Sequence, residues 1–396
     1  MRDLIQLKQS TQAALCLECG KCSTMCPLAR FGGFSAARMM SIQDPEAEID
    51  GHAAAVQRCL TCGACEVRCP QGVRYTEFIL GLRPELPEKS RWSCPHGAVF
   101  QESARWAADG SVNGRNTAWL EDDLVVAEEG EVGLFVGCLP LFDVVFGSEL
   151  EVQMVEIARS AVRLLNHLGI EPVVVADERC CGHDLLWSGE EKTFEKLVVA
   201  NTTAFQERGV SHLLTTCAEC CRTWSLDYPR YVESYQPRVQ HISEFLAERV
   251  ESDELRFRDV GETGAMTFHD PCRLGRQLGV FDAPRTVMAS LPGSEVVEME
   301  KSGADAQCCG TPGFIQCNRD SRRLQAQRLE SAAATGATKM VTACPKCLIH
   351  FRCAQAEDRL NERQGAAELQ IEDLTVLAAS LLTTKSETEK DLPSKS

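Results

Sequence analysis

Eighteen of the 22 cysteines in this 396-residue chain fall into four arrays of two kinds, each kind present twice. The first kind is Cys16-x2-Cys19-x2-Cys22-x3-Cys26-Pro27, repeated as Cys59-x2-Cys62-x2-Cys65-x3-Cys69-Pro70. Three thiolates at x2 spacing wrap one cubane iron-sulfur cluster from a single loop. The fourth, followed by proline, ligates the other cluster in a two-cluster domain. On that pattern Cys16, Cys19, Cys22 and Cys69 hold one [4Fe-4S] cubane, and Cys59, Cys62, Cys65 and Cys26 hold the other. The competing reading is a pair of zinc knuckles, which two full copies with a terminal proline disfavour.

The second kind is a lone Cys, a Cys-Cys-Gly, then a Cys-x2-Cys. It runs Cys138, Cys180-Cys181-Gly182, Cys217 and Cys220, and again Cys272, Cys308-Cys309-Gly310, Cys344 and Cys347. Adjacent thiols cannot both face one side of an extended strand. A turn must present them, and Gly182 and Gly310 permit that turn and a close backbone approach. Five thiols exceed the four that a cubane or a zinc site takes, so an unusual cluster, or one with an exchangeable ligand, is expected. Structural zinc, at one of these sites at least, is the alternative.

The elements that must position these thiols fall into three blocks and a tail. Residues 1–90 hold the ferredoxin-type motifs, and the insert between Cys26 and Cys59 reads as helical through Ala36-Ala37-Arg38-Met39-Met40 and Ala53-Ala54-Ala55-Val56. Residues 91–129 form a connector predicted to lie across the surface. From residue 130 the pattern becomes α/β. Val132–Val136 is a strand ending at Cys138, and a helix with apolar positions from Leu150 to Leu168 closes at Gly169. Val173–Val175 is a strand leading to Cys180; a helix spans roughly 190–208; His212–Thr216 is a strand delivering Cys217. Residues 261–383 repeat this plan, with Met266–Phe268 leading to Cys272, a helix from about Pro284, and Glu295–Val297 leading towards Cys308. Leu324–Ala334 is then helical, and Lys339–Thr342 delivers Cys344. Equivalent cysteines keep nearly constant offsets (272 − 138 = 134, 308 − 180 = 128, 344 − 217 = 127), as an internal duplication of one α/β unit would produce. The fold class is thus α plus α/β: a helical two-[4Fe-4S] ferredoxin-type domain (1–90), the connector (91–129), and two tandem α/β domains (130–260 and 261–383). A disordered tail (384–396) completes the chain.

Composition sets the class of partner. Hydrophobic content of 44% and charged content of 25% are those of a globular protein. A net charge of −16 argues against nucleic acid or an anionic membrane as the main partner. The N-terminal sequence lacks a signal-peptide plan, and no apolar run approaches the ~20 residues of a transmembrane helix. A cytoplasmic location is the expectation, where so many thiols serve metal rather than disulfides. No Gly-x-Gly-x-x-Gly follows a strand, so electrons are expected to come from a partner, not from a flavin or nicotinamide bound here.

With these arrays, His269-Asp270-Pro271-Cys272-Arg273-Leu274-Gly275-Arg276 and Ala343-Cys344-Pro345-Lys346-Cys347 resemble segments of heterodisulfide reductase catalytic subunits of the fused D type. In that type a C-type two-cubane part precedes a B-type double Cys-Cys-Gly (CCG) part. The resemblance runs from Cys16 to about Leu382. It implies two non-cubane [4Fe-4S] clusters, one on Cys138, Cys180, Cys181, Cys217 and Cys220, the other on Cys272, Cys308, Cys309, Cys344 and Cys347. It also implies a disulfide substrate cleaved between them one electron at a time, with Cys180, Cys181, Cys308 and Cys309 at the reacting centres. Implied partners are a flavin-containing reductase component of the A type, a hydrogenase or a formate dehydrogenase module, in a hetero-oligomer. Arg58-Cys59-Leu60-Thr61-Cys62 and Gly72-Val73-Arg74-Tyr75 are similar also to electron-transfer subunits of glycolate, lactate and glycerol-3-phosphate dehydrogenases. The alternative is therefore a non-catalytic conduit in a larger flavin-containing complex, including electron-bifurcating or acyl-CoA reductase assemblies.

Outside the arrays, Cys221 reads as a buried bystander next to Cys220, with ligand substitution as the other possibility. Cys94 reads as structural, and Cys317 and Cys353 have no assigned role. His183 and His269 stand close to thiols and read either as proton donors to a departing thiolate or as hydrogen-bonded structural groups. Arg273, Arg276 and Lys346 read as counter-charges, as anion-binding groups, or as plain solvated side chains.

Overall fold

Short helices surround the two ferredoxin-type loops, as the sequence between Cys26 and Cys59 predicts: Lys21–Met25, Ala36–Met40, Pro45–Arg58 and Tyr75–Leu82. This computed structural model describes residues 4–32, 34–42, 45–87, 95–111, 117–259, 261, 263–310, 317–360 and 368–383; Cys94 and residues 384–396 lie outside them. The two loops share one backbone form. Glu18 and Gly20 have φ of 51° and 75°, and Thr61 and Gly63 have φ of 46° and 74° at the same motif positions. A left-handed Glu or Thr is strained. In return, each turns its own N–H onto the first thiol of its motif, at 3.4 Å for Glu18 on Cys16 and for Thr61 on Cys59.

The first α/β unit is a parallel sheet of β1 (Val132–Phe135), β2 (His212–Thr215) and β3 (Arg238–His241), in the order β1-β2-β3. The second is β4 (Gly264–His269), β5 (Ser294–Val296), β6 (Lys339–Thr342) and β7 (Gln370–Asp373), in the order β5-β4-β6-β7 and all parallel. The lone Cys follows β1 or β4, and the Cys-x2-Cys follows β2 or β6. Each thiol set thus gathers at the carboxyl ends of adjacent parallel strands, where open α/β sheets place their sites.

Four details depart from the sequence pattern. Val173–Val175 is not a strand: Val173 alone forms bridges, to Gly133 of β1 and to Ala127, and the Val136 N–H that would extend the ladder to Val175 donates instead to the Glu178 carboxylate. The edge strands β3 (Arg-Val-Gln-His) and β7 (Gln-Ile-Glu-Asp) are too short and polar to read as strands. The apolar helix expected from Leu150 begins instead at Met154 and runs to His167, while Leu150 ends a preceding helix, Leu139–Leu150, where Glu151 turns left-handed (φ 53°). The connector is not merely superficial either. Its helix Val99–Ala108 buries Phe100, Gln101, Ala104 and Ala108 and packs on helix Glu191–Gln206.

The two α/β units meet as a pseudo-dimer. Helix Met154–His167 of the first packs on helix Leu374–Ser380 of the second, and helix Ile242–Glu251 of the first packs on helix Asp282–Ser290 of the second. Helices after β3 and β7 correspond, as do Met154–His167 and Asp282–Ser290. The reciprocal pairing is that of an isologous interface, with the pseudo-twofold axis passing between the units.

Candidate iron-sulfur site

Each thiol set closes on itself. A cavity inside the first ferredoxin-type loop is walled by Cys16, Cys19, Cys22 and Cys69, with Cys65 also reaching it. Cys26, Cys59, Cys62 and Cys65 gather close enough that burial, and then their mutual charge, raises Cys26 to about 12 and Cys65 well above the ordinary thiol range. Tyr75 lines the first cavity, and its hydroxyl is buried with no hydrogen-bond partner; burial, and then the nearby thiols Cys59, Cys65, Cys26 and Cys22, raise it well above the ordinary phenol range. An orphaned buried donor near the thiols fits a bound sulfide-bearing group that would accept its hydrogen bond.

In the first Cys-Cys-Gly array, Cys138 and Cys180 are 3.4 Å apart and Cys181 and Cys220 are 3.5 Å apart, with Cys217 beside Cys220. All five wall one cavity, which Lys346 of the second unit also reaches. In the second array Cys272 pairs with Cys308, Cys308 with Cys309, Cys309 with Cys347, and Cys347 with Cys344. Gly182 (φ 78°) and Gly310 (φ 91°) turn their N–H groups onto Cys180 and Cys308, both at 3.4 Å. A Cβ at Gly310 would lie 2.8 Å from the Ser321 carbonyl oxygen, so glycine is required there.

The sets also touch one another. Cys62 of the ferredoxin-type loop lies beside Cys308, whose interaction holds the Cys62 thiol low with help from Arg276 and Arg273. Across the pseudo-twofold axis, Cys217 lies beside its repeat equivalent, Cys344.

Comparison with known proteins agrees with this partition. The 4Fe-4S dicluster domain family matches residues 12–73, and the cysteine-rich CCG domain family matches residues 132–224 and 266–352. The chain belongs to the CCG-domain iron-sulfur proteins. It is 30% identical, over 67% of its length, to the D polypeptide of the dihydromethanophenazine:CoB–CoM heterodisulfide reductase of Methanosarcina barkeri; the match spans 62% of that relative, less than two thirds of its length. It is 32% identical over 62% of its length to the B polypeptide of the fumarate reductase (CoM/CoB) of Methanothermobacter marburgensis, covering 45% of that protein. It is 28% identical over 67% of its length to the EtfAB:quinone oxidoreductase of Syntrophomonas wolfei, covering 37% of it. These relatives are oxidoreductases or components of them. None of the described helices is long and apolar enough to cross a membrane.

Arg273 and Lys346 are buried and Arg276 is half-buried, and all three are held by specific partners, which excludes the solvated reading of them. Arg273, 2% exposed, donates to the Thr61 carbonyl and, at 2.8 Å, to the Thr61 hydroxyl. Arg276 donates to the Cys62 carbonyl at 2.6 Å and the Ala306 carbonyl at 2.5 Å. Arg83 donates to the Cys59 carbonyl at 2.7 Å and to the Trp187 carbonyl, while Arg273 lies 4.1 Å over the Trp187 ring. Guanidinium forks with backbone acceptors thus join the ferredoxin-type loop to both CCG units.

Lys346 bridges the CCG units, 2.5 Å from Asp184 and 2.5 Å from Glu219. Burial opposes its charge, but the two carboxylates hold it well above the ordinary lysine range. Burial pushes Asp184 up to about 7. Glu219 is also buried but stays low, because His183, Lys346 and Arg273 all face it. Glu219 and Lys346 occupy the same repeat position (219 + 127 = 346), so a residue meets its own equivalent across the axis. In a homodimer that contact would pair like charges; the duplication made it an ion pair.

His183 is hydrogen-bonded: its Nδ1 lies 3.1 Å from the Thr223 hydroxyl and its Nε2 3.5 Å from Glu219, and burial lowers it to about 4. Cys221 is buried, with its thiol pushed by burial up to about 12. Burial, and then the neighbouring Cys317, raise Cys353. The sequence pattern alone does not single out Asp184, Glu219, Arg83, Tyr75, Arg328 or His350. Of these, Glu219 was accessible from the repeat offset.

Proposed function

We propose that this chain is the disulfide-reducing subunit of a redox complex, receiving electrons at its ferredoxin-type module and delivering them to a disulfide at the paired CCG arrays. The ligand sets follow the closed thiol groups. Cys16, Cys19, Cys22 and Cys69 hold one [4Fe-4S] cubane, and Cys59, Cys62, Cys65 and Cys26 the other. Cys138, Cys180, Cys181, Cys217 and Cys220 hold one non-cubane cluster, and Cys272, Cys308, Cys309, Cys344 and Cys347 the second. When bound, such clusters supply one-electron chemistry and iron that can take a substrate sulfur.

The observation that carries this reading is the adjacency of the thiol sets, with Cys62 of the front module beside Cys308 and Cys344 of the second array beside Cys217 of the first. The chain's own side chains do the positioning. Arg273 and Arg276 clamp the front loop against the second array, Lys346 fixes the two arrays relative to each other, and packing buries Cys181, Cys217, Cys220, Cys308, Cys309, Cys344 and Cys347. A flavin-bearing component of the A type, a hydrogenase or a formate dehydrogenase module is the electron source in a cytoplasmic hetero-oligomer. Iron, rather than zinc, at both CCG arrays belongs to the same proposal.

The test uses the anaerobic, iron-loaded full chain with a chemical reductant and low-molecular-weight disulfides. Turnover by wild type and its loss in Cys309→Ser support the reading. Absence of any disulfide reduction by the iron-loaded wild type favours the second reading, a conduit within a flavin-containing complex. That reading has its own observation: Lys346, Asp184, Glu219 and His183 occupy the space beside the axis where a substrate would enter.

A further inference from the structure

We propose that His269 and His350 are positioning residues that make the second CCG array's centre the easier of the two to reduce, by hydrogen bonds to the Cys309 sulfur. The inference rests on the reading that both arrays hold iron-sulfur centres.

Cys309 is flanked by two imidazoles. His350 Nδ1 lies 3.4 Å from its sulfur. Arg328, on helix Arg319–Ala333, donates from Nε to His269 Nδ1 at 3.1 Å, which leaves the proton of a neutral His269 ring on Nε2. That buried Nε2 has no nitrogen or oxygen acceptor, and Cys309 is the thiol that interacts with the ring. The His269 ring stands edge-on to Phe351 at 4.7 Å, so its direction is fixed by packing.

The first array is the built-in control. His269 closes β4 three residues before its lone cysteine; Phe135 closes β1 at the same place (269 − 134 = 135). His350 follows its Cys-x2-Cys by three residues; Thr223 holds that place in the first unit (350 − 127 = 223). Phe135 packs on Phe205 and Trp224, and the Thr223 hydroxyl is engaged with His183. Cys181, the equivalent of Cys309, meets the thiols of Cys180 and Cys220, with no imidazole at either position. N–H donors to cluster sulfurs stabilise the more negative, reduced state and so raise the potential. The difference falls on the array beside Cys62, the one nearest the ferredoxin-type loop, and makes it the first acceptor.

The test is an anaerobic redox titration, followed by EPR, of the iron-loaded full chain and of His269→Phe, His350→Thr and the double variant, which carry the first unit's own residues. At a fixed potential, the reduced-to-oxidised ratio of one CCG centre falls about tenfold or more, equivalent to 59 mV for a one-electron couple. The other centre is unchanged, the double variant shifts further, and His350→Gln, which keeps an N–H donor, recovers part of the shift. Ratios within about twofold of wild type, or equal movement of both centres, overturn the inference. Iron and sulfide are counted first; if His269→Phe does not assemble its cluster, His350→Thr decides by the same criterion. A wild-type chain without iron at the arrays overturns the functional reading instead, whereas loaded variants that do not shift overturn only this inference.

Discussion

Replacing Lys346 by methionine removes the one ammonium that Asp184 and Glu219 share at the interface of the CCG units. All three groups are buried, with Lys346 6%, Asp184 7% and Glu219 5% exposed. Removing one member of a buried ion pair leaves an uncompensated charge and costs about 3–5 kcal/mol. For a unit of this size ~1 kcal/mol moves the unfolding midpoint by roughly 2–4 °C, so Lys346→Met should lower it by about 6–20 °C. The assay is thermal unfolding of the iron-loaded chain under anaerobic conditions. A triple variant, Lys346→Met with Asp184→Asn and Glu219→Gln, carries no stranded charge and should regain most of the loss. A midpoint shift below about 2 °C for Lys346→Met, or a triple variant less stable than the single, would refute the assignment of these groups as a mutually dependent bridge.

Three further outcomes are expected. Arg273→Met, which removes both hydrogen bonds to Thr61, should speed amide exchange across Cys59–Cys65 by about tenfold or more, while exchange in β2 stays unchanged. Gly310→Ala should cut the iron content of the second array, because the new Cβ meets the Ser321 carbonyl at 2.8 Å in a left-handed backbone; wild-type iron and sulfide would contradict this. Asp373 caps helix Leu374–Ser380 through the Thr375 N–H at 2.8 Å, and burial raises its carboxyl from 3.8 to about 7. The unfolded chain then loses this proton at lower pH than the folded one, so stability should fall as pH rises from about 4 to 7, by at most ~4 kcal/mol at 1.36 kcal/mol per unit. Asp373→Asn should flatten that slope in urea midpoints taken at pH 5 and pH 8, and an unchanged slope would contradict the assignment.

Much of this architecture was legible in the sequence, because thiol spacing is tied directly to chemistry. The array offsets of 134, 128 and 127 residues announced the duplication, and strong apolar runs such as Val132–Phe135 and the stretch ending at Thr342 announced the strands that deliver Cys138 and Cys344. The edge strands β3 and β7 were not legible, since short edge strands carry polar residues that break period-two alternation. Val173–Val175 mimicked a strand through β-branched composition, but only Val173 forms bridges, one to Gly133 and one to Ala127. The charged residues beside the thiols were visible, but their burial was not. That Arg273 and Arg276 reach across to Thr61 and Cys62, more than 200 residues away in sequence, depends on how the front module docks. His350 was hidden within the amphipathic pattern of helix Pro345–Leu360; comparison with Thr223 at the equivalent repeat position isolates it.

The most direct check is a count of metal and acid-labile sulfide in an oxygen-free preparation of the whole chain. Four tetranuclear clusters give about sixteen irons and a matching number of sulfides per chain, with no zinc. About eight irons together with zinc at the CCG arrays would contradict the account, since the thiol path from Cys62 to Cys217 would then end at a metal that cannot change its charge.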